Sequence, residues 1–162
     1  MMNFCNRCAG ALTTKIPSGD NLPRHICQEC EHIHYQNPRV IVGCIPVWQD
    51  QVLLCRRNIE PKFGLWTLPA GFLELGETME QGALRETFEE SMAEVEITEL
   101  FGLYDIPHIG QIYSIYSANM LSDKFSTTAE SSEVALFNAD EIPWDEIAFE
   151  VIKTALQEYL DQ

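Results

Sequence analysis

Two pairs of cysteines with the spacing Cys-X-X-Cys constrain the fold of this chain more than any other feature. They are Cys5 with Cys8 and Cys27 with Cys30, and 18 residues separate the pairs. Each pair fits a tight turn that points two thiolates at one position, and two such turns complete a tetrahedral zinc site. A redox motif and a disulfide are the alternatives, but the repeated spacing favours a structural Zn²⁺ ion that folds a small module.

The surroundings of the four cysteines predict a zinc ribbon. Residues 17–21 form a Pro-Ser-Gly-Asp-Asn turn, so the segment between the pairs is long enough for a short hairpin. Three histidines lie nearby, but four thiolates already fill the zinc shell. We therefore expect His25, His32 and His34 to be surface residues.

The remainder of the chain has the length and composition of one ordinary domain. The chain has 162 residues, 46% of them apolar, which is enough to bury a core. The first residues lack a basic start followed by an apolar segment, and the longest nearly apolar stretch, 40–48, is too short to span a membrane. These features predict a soluble, cytoplasmic protein that does not bind membranes.

The charge of the chain is acidic and unevenly distributed. Lys and Arg number 10 against 25 Asp and Glu, a net charge of −15. Residues 1–85 contain 8 basic and 8 acidic side chains, whereas residues 86–162 contain 2 and 17. Nucleic-acid-binding proteins present basic surfaces, so this distribution argues against nucleic acid as a partner. An anionic substrate would need an accompanying cation.

Hydrophobic patterning predicts an α+β sandwich behind the ribbon. A capping box of Thr78 and Gln81 predicts a helix from 78 to about 93, and a second, amphipathic helix covers 148–160. Cys44 and Cys55 fall within predicted strands and are expected in the core. The strand candidates are 39–48, 51–57, 65–69, 95–106, 111–121 and 133–137.

The first predicted helix carries an unusual acidic face. Glu89 and Glu90 follow Glu86 by three and four residues, so the three carboxylates share one side of the helix. A solvated acidic face would normally carry interspersed Lys, and the next basic residue is Lys124. Clustered carboxylates are ligands that Mg²⁺ prefers. Gly82 either leaves space for a metal or an approaching loop, or is incidental.

Residues 71–93 resemble the Nudix box, the loop–helix–loop signature of the Nudix hydrolases. Gly71, Glu77 and the run Arg-Glu-Thr-Phe-Glu-Glu at 85–90 stand at the intervals of that motif. Thr87 occupies a position that is usually apolar. Met92 replaces the glycine that usually follows the acidic pair, so we expect a longer or redirected exit from the helix.

The resemblance covers nearly the whole chain. The ribbon, the Tyr-Gln-Asn-Pro linker at 35–38 and the segments 53–57, 64–71, 105–111 and 140–143 are similar to zinc-ribbon Nudix proteins, in particular ADP-ribose and FAD diphosphatases. The Ser-Gln-Pro-Trp-Pro-Phe-Pro motif of NADH diphosphatases is absent from the sequence. The resemblance implies a zinc ribbon at 1–36 and a Nudix hydrolase domain, an α/β/α sandwich with a mixed sheet, at 37–162.

The resemblance also implies roles for individual residues. Glu133 would be a fourth carboxylate, with Glu130 as second choice, and either Glu86 or Glu133 would be the general base. Arg85 would orient the carboxylates and Glu77 would hold the loop. The residues implied as ligands of Mg²⁺ or Mn²⁺ are Glu86, Glu89, Glu90 and the carbonyl of Gly71.

The implied substrate is a small nucleotide, a nucleoside diphosphate derivative that yields a nucleoside monophosphate. Arg56 and Arg57 would bind the diphosphate, and Trp66 would stack against adenine, although Trp66 is also a good core residue. Relatives often form homodimers, to which the apolar run 109–116 would contribute. Two alternatives stay open: a nucleoside-triphosphate pyrophosphohydrolase, and a zinc-ribbon adaptor that binds RNA or protein through an inactive Nudix domain.

Overall fold

The computed structural model describes residues 3–162, which form two compact units divided between Asn37 and Pro38. The first unit is a three-stranded antiparallel sheet in the order β1-β2-β3. Its strands are β1 (Leu12–Lys15), β2 (Arg24–Cys27) and β3 (Ile33–His34). The expected hairpin is present, since β1 pairs with β2 across the turn that includes 17–20. The predicted domain limits of 1–36 and 37–162 remain a prediction.

The second unit contains a seven-stranded mixed sheet and two helices. Five strands form the order β10-β5-β4-β9-β8, while β6 pairs with β5 and β7 pairs with β4. Only β4 and β9 run parallel. The bounds are β4 (Arg39–Trp48), β5 (Gln51–Arg57), β6 (Trp66–Thr67), β7 (Ala70–Phe72), α1 (Met79–Ser91), β8 (Val95–Ile106), β9 (Gln111–Met120), β10 (Ser131–Phe137) and α2 (Glu150–Leu160).

Alternation along β4 explains why a helix covers each face of this sheet. Val42 and Cys44 point to one face and pack with Ala83 of α1, while Ile41 and Ile45 belong to the cluster that includes the buried side of α2. The α/β/α sandwich with a mixed sheet is thus confirmed. The capping box at the start of α1 is also confirmed, whereas α2 begins two residues after the predicted start.

The structure tests two expectations about which side chains are buried. Cys44 and Cys55 lie in the core, as predicted. The expectation that all three ribbon histidines are surface residues is wrong for His34, which is only 6% exposed. Four thiolates leave no place for His34 in the zinc shell, but the burial of His34 depends on how β3 packs in the ribbon sheet. No helix within residues 3–162 combines the length and apolar character needed to cross a lipid bilayer.

The exit of α1 differs from the expectation that Met92 would lengthen or redirect it. The helix ends at Ser91, and Met92 itself takes the left-handed conformation with a φ of 57°. Its N–H donates to the carbonyl of Phe88 over 2.7 Å. The backbone thus makes the turn that a glycine would make, with a side chain that is 45% exposed.

This geometry predicts that Met92→Gly stabilises the protein by about 1 kcal/mol, because an L-residue is strained in the left-handed region. Urea unfolding would measure the change. Met92→Ala is the control, since alanine has the same backbone strain and loses the same exposed side chain. An equal gain in both variants would contradict the explanation.

Candidate active site

Helix α1 places three carboxylates in very different environments. Glu90 is buried at 6% exposed, the side chain of Glu86 is largely buried, and that of Glu89 is open to solvent. The sequence predicts the shared side of the helix but not this gradient. The gradient arises because α1 packs against β4 and β7, so depth depends on each residue's angle to the sheet.

The burial of Glu90 makes its negative charge costly. Burial raises its pKa to about 8, although its carboxylate accepts a hydrogen bond from the N–H of Ala70 over 3.1 Å. The charges of Glu86 and Glu130 raise the pKa further, and Arg57 opposes them. Burial also raises the pKa of Glu86. A cation bound beside these carboxylates would relieve this penalty.

Arg85 holds the acidic residues around it in fixed positions. Its guanidinium contacts Glu86 over 2.7 Å, Glu89 over 3.0 Å and Glu77 over 2.8 Å. It also donates to the carbonyl of Phe72 over 3.1 Å. Arg85 and the N–H of Glu74 together lower the pKa of Glu77 to about 2. The arrangement supports the predicted roles of Arg85 in orienting carboxylates and of Glu77 in holding the loop.

Two glycines permit the close approach of α1 to the segments around it. A β-carbon added at Gly71 would overlap the carboxylate of Glu86. A β-carbon at Gly82 would lie 2.7 Å from a carboxylate oxygen of Glu77 and 2.9 Å from Val42. Of the alternatives for Gly82, the structure therefore supports space for an approaching loop. Gly71 lies in β7, directly against Glu86, where its carbonyl was predicted as a ligand.

The two candidates for a fourth carboxylate lie in different surroundings. Glu133 forms an ion pair with Arg56 over 3.2 Å, and Arg56 also contacts Glu146 over 3.5 Å. Glu130, by contrast, acts electrostatically on both Glu86 and Glu90. Its carbonyl accepts a hydrogen bond from the N–H of Asn58 over 2.7 Å, which anchors the loop. Both residues therefore stay candidates for the fourth carboxylate, with Glu133 held by Arg56 and Glu130 acting on the charge of Glu86 and Glu90.

The predicted substrate-binding residues are less accessible than expected. Trp66 is 5% exposed and packs edge-to-face on Phe137, so its ring faces are not open to an adenine. Arg57 is also buried, donates to the carbonyl of Pro61 and lies over the ring of Phe149. Arg56 is the more exposed arginine, with its Nε donating to the carbonyl of Gly64. Sequence reasoning had no signal for these local partners.

The acidic residues fit a hard cation by their donor chemistry. Glu86, Glu89 and Glu90 supply carboxylate oxygens from one rigid helix, and the pKa values of the partly buried Glu86 and the buried Glu90 are raised. Their oxygens are not gathered around one point, because Glu86 and Glu89 are paired with Arg85. Within residues 3–162, the only close set of three or more metal-ligating side chains is the cysteine cluster.

The four cysteines fit a zinc ion by geometry. Their sulfur atoms all lie within 4.8 Å of one another, and the distances from Cys8 to Cys27 and Cys30 are both 3.4 Å. Tetrahedral Zn–S bonds of about 2.3 Å place sulfurs at nearly this separation. The N–H groups of Cys30 and Glu29 lower the pKa of Cys27 to about 7, which favours a thiolate ligand.

Two protein-family models match consecutive parts of the chain. Residues 37–155 match the family model described as NUDIX domain, and residues 3–36 match the one described as Nudix N-terminal, a zinc ribbon. The crystal structure of a NUDIX hydrolase from Nitrosomonas europaea is 54% identical, with a TM-score of 0.95 over 99% of this chain and 91% of that chain.

Curated relatives are more distant. An ADP-ribose pyrophosphatase of Methanocaldococcus jannaschii is 29% identical over 67% of each chain. An NAD-capped RNA hydrolase, NudC, of Vibrio vulnificus is 30% identical over 88% of this chain and 53% of its own length. The chain spans about a third to two thirds of the length of the curated relatives it matches. The NUDIX match nevertheless covers most of this chain. The chain therefore belongs to the NUDIX family and is a hydrolase of that family with an N-terminal zinc ribbon.

Proposed function

We propose that this protein hydrolyses the diphosphate bond of a nucleoside diphosphate derivative, ADP-ribose or FAD, and releases AMP with the help of Mg²⁺ or Mn²⁺. The observation that carries this proposal is the buried Glu90, whose raised pKa reflects a charge that lacks sufficient compensation within the protein. A relative is named ADP-ribose pyrophosphatase, which supports the substrate class.

The residues of α1 would share the work of holding the metal. Glu86, Glu89 and Glu90 would be its ligands, with the carbonyl of Gly71 beside them, and Arg85 would keep Glu86 and Glu89 oriented. When bound, a divalent cation would neutralise charge on the diphosphate and lower the pKa of the attacking water. Neither buried carboxylate would then need to be protonated.

A carboxylate from the 129–131 loop would complete the site and accept the proton of the attacking water. We assign this role to Glu130, because its charge acts on Glu86 and Glu90, whereas Glu133 is paired with Arg56. Arg56 would bind the diphosphate once Glu133 and Glu146 release part of its guanidinium. The water oxygen joins one phosphorus, the bridging oxygen leaves with the other, and two phosphate monoesters result.

This assignment predicts different effects for the two loop carboxylates. Glu130→Gln should reduce kcat by about a hundredfold, the usual contribution of a proton acceptor. Glu133→Gln should change kcat much less and should act mainly on KM through Arg56. Steady-state kinetics with ADP-ribose and Mg²⁺ would measure both. A larger loss of kcat in Glu133→Gln than in Glu130→Gln would contradict the assignment and identify Glu133 as the proton acceptor.

NAD-capped RNA is a second candidate substrate, because several relatives are named NAD-capped RNA hydrolase. The expectation that nucleic acid is not a partner, which came from the acidic charge, conflicts with those names. The sequence lacks the Ser-Gln-Pro-Trp-Pro-Phe-Pro motif of NADH diphosphatases, which argues against a substrate that contains NAD.

A panel of ADP-ribose, FAD, NADH, a nucleoside triphosphate and an NAD-capped oligoribonucleotide would test the proposal. Each is assayed with Mg²⁺, with Mn²⁺ and without either ion. We expect AMP release from ADP-ribose or FAD only with a divalent ion. Preference for the triphosphate or for capped RNA would contradict the proposed substrate. Light scattering would test the homodimer, which remains a prediction.

A further inference from the structure

The zinc ribbon contains a row of polar side chains that the zinc site does not use. Thr14 of β1 pairs in register with His25 of β2, which in turn pairs with His34 of β3. Cross-strand partners project to the same face of a sheet, so these three side chains are neighbours. The hydroxyl of Thr14 lies 3.1 Å from Nδ1 of His25, which leaves the Nε2 atom of His25 for another partner.

A cavity of about 190 Å³ lies beside this row, within the first unit. Its lining residues include hydroxyl, imidazole, guanidinium and carboxamide side chains, and none of them carries a carboxylate. Such a set offers mainly hydrogen-bond donors, so it suits a ligand rich in acceptor oxygens. The lining residues are Thr14, Pro23, Arg24, His25, His34 and Gln36.

One ring nitrogen of His34 lacks a hydrogen-bond partner. Its Nε2 atom is buried without a partner, one of only two such side-chain atoms found across residues 3–162. The side chain is 6% exposed and lines the cavity. A buried polar atom without a partner destabilises the folded state, and a ligand that supplies a partner would remove that cost.

The segment that contains this cavity has no net charge, whereas the rest of the chain is acidic. Residues 1–37 contain three basic and three acidic side chains, so the whole net charge of −15 lies in residues 38–162. Within the ribbon, Asp20 occupies two N–H groups of Arg24, at 2.9 and 3.4 Å. A guanidinium has five N–H donors, so Arg24 retains donors for a second anion.

We propose that the cavity of the zinc ribbon binds a phosphate group, with Arg24, His25 and His34 as its principal donors. The phosphate belongs either to a free nucleotide or to the 5′ end of an RNA. This site is separate from the acidic residues of α1, and it does not depend on the substrate proposed for them.

Side-chain NMR of the full, zinc-loaded protein would test the site in buffer without Mg²⁺. The chain has four histidines, so each imidazole signal can be assigned by substitution, and His108 serves as an internal reference. Titration with inorganic phosphate and with AMP should shift the signals of His25 and His34 saturably. Adenosine, which lacks the phosphate, should not shift them.

His34→Gln should weaken the binding of AMP by at least about fivefold, the effect of one hydrogen bond. His32→Gln is the matched control, because His32 stacks edge-on against His34 but does not line the cavity. Gln36→Ala, at an exposed position on the cavity, should also weaken binding. Because Gln36 is exposed, this variant tests the cavity without changing a buried residue.

The comparison of ligands distinguishes the two sources of phosphate. Tighter binding of a 5′-phosphorylated oligoribonucleotide than of AMP would identify an RNA end, and equal binding would identify a free nucleotide. Equal shifts with adenosine and AMP, or unchanged affinity in both His34→Gln and Gln36→Ala, would overturn the proposal.

Discussion

Replacing Glu90 by glutamine is expected to reduce AMP release from ADP-ribose by at least about a hundredfold, since even the outer partners of metal ligands contribute about ten- to a hundredfold. The change removes one negative charge from the proposed metal site. It preserves the side-chain oxygen that accepts the N–H of Ala70. The loss should therefore come from weaker metal binding rather than from misfolding, and steady-state kinetics over a range of Mg²⁺ concentrations would measure it.

Glu80→Gln is the matched control for this experiment. Glu80 lies in the first turn of the same helix and is exposed, so its replacement alters the helix charge equally without touching the proposed ligands. We expect near-normal turnover for this variant. Undiminished turnover in Glu90→Gln would show that Glu90 is not a metal ligand.

The second large effect is a loss of stability with rising pH when no divalent ion is present at α1. The pKa of Glu90 is about 8 in the folded protein against an ordinary value of 4.5, so the folded state binds this proton more tightly than the unfolded state. Its contribution to stability is complete below pH 4.5 and is lost as the pH rises through about 8. At about 1.4 kcal/mol for each pH unit, the loss reaches up to about 5 kcal/mol.

Thermal unfolding of the zinc-loaded protein between pH 5 and pH 9 would measure this loss, provided that Mg²⁺ is left out. Glu90→Gln should lose much less stability over the same range, because the amide does not ionise and only the smaller contribution of Glu86 remains. Added Mg²⁺ should restore the stability of the unmodified protein at high pH, where Glu90 is charged. A flat profile for the unmodified protein without Mg²⁺ would contradict the burial argument.

Local patterns in the sequence predicted the parts of the fold that depend on local chemistry. The spacing of four cysteines predicted a ribbon, and Thr78 with Gln81 predicted the start of α1. The resemblance of 71–93 to the Nudix box supplied the family and the acidic helix. These features depend on residues close together in the chain, which is why spacing alone reveals them.

Features that depend on tertiary packing could not be predicted in the same way. The sequence does not show that Glu90 is more deeply buried than Glu89, because burial depends on how α1 packs on the sheet. It also does not show that Arg56 pairs with Glu133, which is 77 residues away. The burial of Trp66 and His34 has the same origin, since Trp66 packs against Phe137 of β10 and His34 pairs with His25 of β2.

Isotope labelling tests the central claim most directly. ADP-ribose and FAD are each incubated with the protein and Mg²⁺ in water enriched in ¹⁸O, and the products of the substrate that is cleaved faster are analysed by mass spectrometry. Hydrolysis of the diphosphate by attack of water on phosphorus predicts equal amounts of AMP and of the second monophosphate, ribose 5-phosphate or FMN, with one ¹⁸O atom in one phosphate of each product pair. Absence of AMP, or a pair of products that both lack ¹⁸O in their phosphates, would contradict the account.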